Sequence, residues 1–229
     1  MEEENIGTLS VVATPIGNME DITLRALRVL AEADYVLCED TRVTGKLLAR
    51  HEIKAQMKRY DAHASEKVHA EIMANLEEGK HIALVSDAGT PGVSDPGVFL
   101  IAKLRAALPE VRIDAIPGAS AVTAAFSIAG ISGNQFAFLG FIPQKKGRKT
   151  FFESLPSYEL PVIFFESTHR IMKTLESLME SSPEATVHIG RELTKMHEEM
   201  LVGNAKEIID ILEAEPVRQK GEFVVIVDK

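Results

Sequence analysis

The sequence contains a single cysteine, Cys38, among its 229 residues, so no disulfide can form within the chain. A reducing compartment suits such a chain, and we expect a cytoplasmic protein. No apolar run approaches the roughly 18 residues that a membrane helix needs, so we expect no membrane association. The first residues, MEEENIG, are acidic and no apolar segment follows them, so we also expect no secretory signal.

Motifs of several common enzyme classes are also missing. Neither G-x-G-x-x-G nor G-x-x-x-x-G-K-[ST] occurs, which removes the main support for a nicotinamide dehydrogenase or a nucleoside triphosphatase. G-x-S-x-G does not occur either, so a serine hydrolase is disfavoured. The seven histidines include no H-x-x-x-H pair, and the cysteine has no partner at ligand spacing. We therefore expect no metal site.

The net charge of −9 argues against indiscriminate binding to nucleic acid, because phosphate contacts depend on Lys and Arg. Some of the positive charges are nevertheless grouped in two stretches, which are Arg42, Lys46, Arg50, Lys54, Lys58 and Arg59 in the first and Lys145, Lys146, Arg148 and Lys149 in the second. Each stretch is compatible with an ordinary solvated surface. A local basic patch on an acidic protein would also suit a selective polyanionic partner.

Strands alternate with helices along the first half, which predicts a mainly parallel sheet with flanking helices. The predicted strands cover residues 8–13, 35–38, 82–85 and 112–116. Pro117-Gly118-Ala119-Ser120 interrupts this pattern, so we predict an N-terminal α/β domain over 1–117 and a C-terminal one over 118–229. The second domain reads as a mixed α/β sheet with strands at 136–139, 162–165, 186–189 and 223–227. Its strand order is not readable, because the signals for tight hairpins are missing.

The most informative stretch is residues 83–97, ALVSDAGTPGVSDPG, in which a short apolar strand ends in a loop rich in Gly, Pro, Ser and Asp. In open α/β sheets, ligands bind at the carboxyl ends of strands, and glycine lets the backbone approach them closely. Three other predicted strands end in similar loops, which begin at Thr14, Glu39 and Pro117. If the sheet is parallel, all four loops lie on one edge and form the floor of a cleft. An ordinary strand-to-helix turn is the alternative for each of them.

Two segments of the second half have a comparable composition. Residues 165–170, FESTHR, place an acid, two hydroxyls, His169 and Arg170 at the end of an apolar strand, and residues 190–199, GRELTKMHEE, follow another strand. A helix cap and a charged surface turn are the plain alternatives. Together with the loops of the first half, we interpret the two segments as the opposite wall of the same cleft.

These segments together resemble the tetrapyrrole methylase superfamily and, more narrowly, the ribosomal RNA small subunit methyltransferase I family. The matching runs follow one another along nearly the whole chain, and they are VVATPIGNMEDITLRAL at 11–27, CEDTRVTGKLL at 38–48, VSDAGTPGVSDPG at 85–97, GFIPQKKG at 140–147 and GRELTKMHEE at 190–199. The resemblance implies two α/β domains with S-adenosylmethionine bound in the cleft between them. It also implies an enzyme that methylates a cytidine ribose 2′-hydroxyl in small-subunit ribosomal RNA.

Position by position, the resemblance implies cofactor contacts at Pro15, Asp87, Ala88, Gly89, Val93, Ser120, Ala121, Glu166 and Leu193. A ribose hydroxyl is a poor nucleophile until it loses its proton, which calls for a general base or a cation that stabilises the alkoxide. The candidates for this assistance are Asp87, His63, Arg42, His169 and Arg191. No spacing argument selects one of them.

RNA phosphates would meet the basic stretches, and we predict contacts from Arg42, Lys46, Lys145, Lys146 and Arg148. The acidic overall charge suggests a structured substrate, the small ribosomal subunit or its RNA, and a homodimer that presents both patches. Two other functions remain open at this point. One is methylation of a corrin or porphyrin precursor, and the other is a non-catalytic RNA-binding assembly factor.

Overall fold

The computed structural model describes residues 6–229 of the chain. The first five residues, on which the expectation of no secretory signal partly rests, lie outside the described residues. The chain divides into two compact units, of which the first ends at Ser120 and the second begins at Ala121. The boundary predicted from the sequence, between residues 117 and 118, lies just before this division and stays a prediction.

The first unit alternates strands and helices. Its elements are β1 (Thr8–Val12), α1 (Leu24–Glu32), β2 (Tyr35–Cys38), α2 (Thr41–Arg50), β3 (Met57–Arg59), α3 (Glu66–Glu77), β4 (His81–Leu84), α4 (Gly97–Ala107) and β5 (Arg112–Ile116). The five strands form one sheet in the order β3-β2-β4-β1-β5, and every pairing in it is parallel. The predicted parallel sheet with flanking helices is therefore confirmed.

The strands at the centre of this sheet are mostly apolar because both of their faces are covered. Along β4, Ile82 packs into a cluster with Ile72 and Leu76 of α3, whereas its neighbour Ala83 packs into another cluster with Leu30 of α1. Successive strand residues point to opposite faces of a sheet. The two helical layers thus bury alternate residues of the same short strands.

Helix α2 was not predicted from the sequence, where residues 39–42 were interpreted as a polar loop. The loop ends at Asp40, whose side chain accepts a hydrogen bond from the backbone N–H of Arg42 at 2.8 Å and so caps the helix. Thr44, Leu47 and Leu48 are buried at helical spacing. The basic residues of this segment lie between its apolar ones, so the helical spacing of the buried residues was not recognised in the sequence.

The second unit contains a mixed sheet, as predicted. Its elements are α5 (Ala121–Ala129), β6 (Ala137–Phe141), α6 (Arg148–Ser154), β7 (Val162–Ser167), α7 (Ile171–Ser181), β8 (Thr186–Arg191), β9 (Glu199–Gly203), α8 (Ala205–Ala214) and β10 (Glu222–Asp228). The strand order is β6-β7-β10-β8-β9, in which β6 pairs with β7 in parallel and the other pairs are antiparallel. The last strand of the chain lies in the middle, which local sequence patterns cannot reveal.

The main core of the second unit joins one face of this sheet to helices α6, α7 and α8. Phe164 and Val225 of the strands pack there with Phe152, Leu175 and Ile208 of the helices. Helix α5 contacts β8, β9 and β10. Within residues 6–229, no helix is both long and apolar enough to cross a membrane.

Candidate active site

The carboxyl ends of all five parallel strands of the first unit meet at one edge of its sheet. The four loops predicted to converge do so, because each follows one of the parallel strands β1, β2, β4 and β5. The loop after β3 joins them and carries His63, which is exposed. Its backbone N–H donates to Asp61 at 2.8 Å, and Asp61 pairs with Arg59.

The loops after β1 and β4 are joined through their backbones. The N–H of Thr14 donates to the carbonyl of Gly89 at 2.9 Å, and the N–H of Gly89 donates back at 3.1 Å. Gly89 has a φ of +81°, and a Cβ there would lie 3.3 Å from Cγ2 of Ile16. Glycine is therefore favoured at this position by both its conformation and the close approach of the neighbouring loop.

The loop after β5 is held against the same two loops. A Cβ at Gly118 would come within 3.0 Å of the Cβ of Ala13, so this glycine allows a close approach. The hydroxyl of Thr90 donates to the carbonyl of Ala119 at 3.0 Å. Three loops thus form one connected backbone surface at the sheet edge.

The two aspartates of the β4 loop have different roles. Asp95 is half-buried, and its carboxylate accepts from the N–H groups of Gly92 and Gly97, each at 2.7 Å. These bonds hold the far end of the loop at the start of α4. Asp87 is exposed, and its Oδ1 accepts from the N–H of Asp40 at 3.1 Å. Asp95 is therefore a structural residue, whereas Asp87 faces solvent and connects two of the loops.

Asp40 is engaged by Arg42. The guanidinium of Arg42 lies 2.6 Å from the Asp40 carboxylate and holds its pKa well below the usual range. The same contact raises the pKa of Arg42. The Arg42 side chain is 86% exposed, and Lys46, one helical turn later on α2, is exposed as well. Both predicted RNA contacts of α2 therefore face solvent. Because its pKa is lowered, Asp40 is a poor proton acceptor.

Glu39 was not among the candidates selected from the sequence. Burial raises its pKa, and the nearby carboxylates of Asp87, Asp95 and Asp61 raise it further. The signal in the sequence was its place as the first residue after β2, within the run C-E-D. These four carboxylates make the sheet edge acidic, which suits a cationic group at this edge. Among residues 6–229, no group of three or more His, Cys, Asp and Glu side chains is placed to hold a metal ion.

The other predicted cofactor contacts up to residue 121 differ in their exposure to solvent. Ala88 and Val93 are exposed on the β4 loop, whereas Pro15 is buried after β1. Ser120 is half-buried and ends this unit, and Ala121 begins helix α5.

In the second unit, Glu166 is fully buried and its carboxylate is surrounded by donors. Its Oε1 accepts from the N–H of Ser167 at 2.7 Å and lies 2.8 Å from Nε of Arg170, while its Oε2 accepts from the hydroxyl of Thr174 at 2.7 Å. These partners occupy the Glu166 carboxylate, and the cofactor contact predicted at Glu166 stays a prediction. The side chain is committed to neighbours within its own unit.

Arg148 belongs to the same buried cluster. Its Nη2 donates to the Thr174 hydroxyl at 2.9 Å, and its Nη1 lies 3.7 Å from Oε2 of Glu166. The predicted phosphate contact from Arg148 is thus contradicted, because its guanidinium points into the protein. Lys145 and Lys146, on the preceding loop, are exposed and remain candidates.

Arg191 is also a structural residue. Its Nε donates to the carbonyl of Lys220 at 2.7 Å, its Nη1 pairs with Glu199 at 3.0 Å, and its Nη2 reaches the carbonyl of Val217 at 3.5 Å. These partners are all protein groups around a buried side chain. The guanidinium is thus engaged by protein groups, and the prediction that Arg191 assists the reaction stays a prediction.

Two further predicted residues of the second unit differ in exposure. Leu193 is buried against Gly190, where a Cβ would lie 3.1 Å from the leucine methyl Cδ1. His169 is exposed in the turn between β7 and α7. His169 thus remains available to a ligand, whereas Leu193 packs over its own strand.

Comparisons with known proteins agree with the resemblance of the motifs. The family model "Tetrapyrrole (Corrin/Porphyrin) Methylases" matches residues 8–209. The chain is 40% identical over 221 residues to the Ribosomal RNA small subunit methyltransferase I of Thermotoga maritima, covering 96% of this chain and 98% of that protein. It is 44% identical over 223 residues to the protein of the same name from Neisseria meningitidis serogroup A, covering 96% of this chain and 75% of the relative.

Solved structures of lower sequence identity share the fold. A cobalt precorrin-4 methyltransferase of cobalamin biosynthesis matches with a TM-score of 0.69 at 18% identity, covering 96% of this chain and 94% of that chain. The uroporphyrin-III C-methyltransferase of Thermus thermophilus, complexed with S-adenosyl homocysteine, matches with a TM-score of 0.65 at 16% identity. The match covers 96% of this chain and 97% of that chain. At these identities the likeness shows the fold alone.

Proposed function

Because this chain belongs to the ribosomal RNA small subunit methyltransferase I family of the tetrapyrrole methylases, we propose that it methylates small-subunit ribosomal RNA. The donor is S-adenosylmethionine, and the acceptor is the 2′-hydroxyl of a cytidine ribose. The observation that carries this proposal is the 40% identity to a relative of that name over 96% of the chain.

The sheet edge of the first unit fits a donor of this kind. Gly89 leaves room where a side chain would meet Ile16, and its neighbour Ala88 is small and exposed. The carboxylates of Glu39, Asp87, Asp95 and Asp61 supply negative charge near a sulfonium. The residues that would hold the donor are Pro15, Asp87, Ala88, Gly89, Val93, Ser120 and Ala121. When bound, S-adenosylmethionine supplies an already activated methyl group.

The protein must position the ribose oxygen and accept its proton. Alignment of the reacting atoms alone can contribute about 7–11 kcal/mol to lowering a barrier. Of the proton acceptors named from the sequence, Asp87, His63 and His169 remain exposed. Asp87 and His63 lie on the same edge of the first sheet, and we place the proton acceptor among these three side chains. Arg42 supplies positive charge near that edge.

The proposed RNA contacts are the exposed cations Arg42 and Lys46 on α2 and Lys145 and Lys146 on the loop after β6. They would bind phosphates of the small ribosomal subunit in the cytoplasm, with the protein acting as a homodimer. Each exposed cation that contacts a phosphate adds a salt-dependent increment to binding.

The test is transfer of a tritiated methyl group from S-adenosylmethionine to small subunits that lack the modification, followed by nucleoside mapping. We expect label on a cytidine 2′-oxygen. Free small-subunit RNA and uroporphyrinogen serve as parallel acceptors. Label only in uroporphyrinogen would replace the proposal with tetrapyrrole methylation. RNA binding without label in any acceptor would favour an assembly factor.

A further inference from the structure

The end of strand β6 presents an exposed aromatic ring. Phe141 is the last residue of this edge strand and is 56% exposed. The pairing of β6 with β7 shifts in register between Phe138 and Phe141, and Gly140 between them has a φ of +68°. Such an irregularity re-aims a side chain at the end of a strand.

The ring of Phe141 packs against Phe165, which in turn packs against Phe138. The ring of Phe165 lies 5.2 Å from that of Phe141 and 5.0 Å from that of Phe138, measured between centroids. Phe138 and Phe165 are only half-buried, so the three rings form a ledge whose outermost member is Phe141. These contacts hold the exposed ring in place, and a phenylalanine side chain has few rotamers to lose on binding.

The loop that follows Phe141 is fastened at both ends. Ile142 is buried, and its carbonyl accepts from Nη1 of Arg170 at 3.1 Å. At the other end, Arg148 is held by Thr174 and Glu166. Lys145 and Lys146 lie between these anchors and are exposed. The buried Glu166 therefore fixes both ends of a loop that presents two cations a few residues after an exposed aromatic ring.

We propose that Phe141 is a stacking platform for one base of the RNA substrate, with Lys145 and Lys146 on the adjoining phosphates. This inference rests on the proposed function, because it assigns a further RNA contact to the same reaction. Proteins generally bind single-stranded nucleic acid with aromatic rings that stack on bases and with positive side chains along the path of the phosphates. An apolar protein surface could pack on the Phe141 ring but would offer no negative charge to Lys145 and Lys146. The two lysines therefore favour RNA as the partner.

Three variants test the stacking role. Phe141→Leu keeps the apolar bulk without an aromatic face, and Phe141→Trp keeps the face. Val202→Ala removes apolar bulk at a site of similar exposure, 51%, on β9, the opposite edge strand of the same sheet. The readouts are KM and kcat for unmodified small subunits, KM for S-adenosylmethionine, and fluorescence of a single-stranded RNA oligonucleotide that contains 2-aminopurine.

We expect Phe141→Leu to raise KM for the subunits about tenfold, a typical cost of losing one base–aromatic stack. KM for S-adenosylmethionine should not change, and Phe141→Trp and Val202→Ala should stay close to the unsubstituted protein. The unsubstituted protein should quench 2-aminopurine, and Phe141→Leu should not. Equal KM and equal quenching for Leu and Trp would overturn the inference while leaving the methyltransferase intact.

Two other outcomes separate the inference from its premise. If Phe141→Leu halves the mass in light scattering whereas Phe141→Trp does not, the ring belongs to an interface between two copies and the stacking role is overturned. If the unsubstituted protein labels no RNA yet quenches 2-aminopurine through Phe141, the proposed function fails and the base-stacking site stands.

Discussion

The two units differ in how several charged residues after their strands are engaged. In the first unit, backbone hydrogen bonds such as those between Thr14 and Gly89 hold the loops, and Asp87 and Arg42 reach solvent. In the second unit, the charges of Glu166 and Arg191 are buried and neutralised by protein partners. The same residue types are therefore exposed in one unit and structural in the other. What distinguishes them is the packing around each side chain.

The largest expected effect is on stability in the second unit. Glu166→Ala would leave Arg148 and Arg170 without their shared carboxylate, and breaking a buried pair typically costs about 3–5 kcal/mol of unfolding free energy. The matched control is Glu153→Ala, which removes an exposed partner of Lys149. Exposed pairs contribute about 0–1 kcal/mol. Denaturant unfolding measures both, and equal small losses would contradict the structural role of Glu166.

The contrasting change in the first unit is Asp87→Ala. We expect the affinity for S-adenosylmethionine to fall about 10- to 100-fold in calorimetry, as for a lost charge-assisted hydrogen bond. Unfolding free energy should change little because Asp87 is exposed. Asp87→Asn keeps an acceptor for the N–H of Asp40 but removes the charge, so it separates the two contributions. Unchanged affinity in both variants would remove Asp87 from the site.

A smaller effect distinguishes Lys145 and Lys146 from their buried neighbour Arg148. The double change Lys145→Ala with Lys146→Ala should weaken binding to small subunits and reduce the slope of log K against log salt by about 2, near 1 for each phosphate contact. Stability should be unchanged because both side chains are exposed. Lys206→Ala, an exposed lysine of α8, is the control. An unchanged salt slope would exclude this loop from the RNA interface.

The smallest effect concerns a buried histidine of the second unit. Burial lowers the pKa of His188 from its usual 6.5. The unfolded chain therefore binds a proton more readily than the folded one, and His188 reduces stability as the pH falls through 6.5 towards the folded pKa. We expect His188→Gln to flatten this part of the stability profile.

The matched control for that measurement is His63→Gln, which removes an imidazole from an exposed turn of the first unit. Denaturant unfolding between pH 5 and 8 compares the two variants with the unsubstituted protein. If His188→Gln leaves the profile unchanged, another group causes the acid sensitivity.

Several elements were predicted to the residue, and others were not predicted at all. Strands β2 and β5 begin and end at the predicted residues, because polar or turn-forming residues follow each of them directly. Strands β3 and β9 and helices α2 and α6 went unrecognised. β3 is short and charged, with only Met57 as a large apolar residue, and α6 begins within a basic run. Their stability comes from pairing and packing with distant segments, which local patterns do not contain.

The amino-acid sequence by itself determined the family, the parallel first sheet and the loops that meet at its edge, because motifs and strand–helix alternation are local properties. Only the tertiary structure decided which charged residues remain exposed. Arg148 and Lys146 are near neighbours in one basic run, yet Glu166 from β7 and Thr174 from α7 bury the first and leave the second in solvent. Burying a charge is costly unless a partner compensates it, and that partner lies far away in sequence.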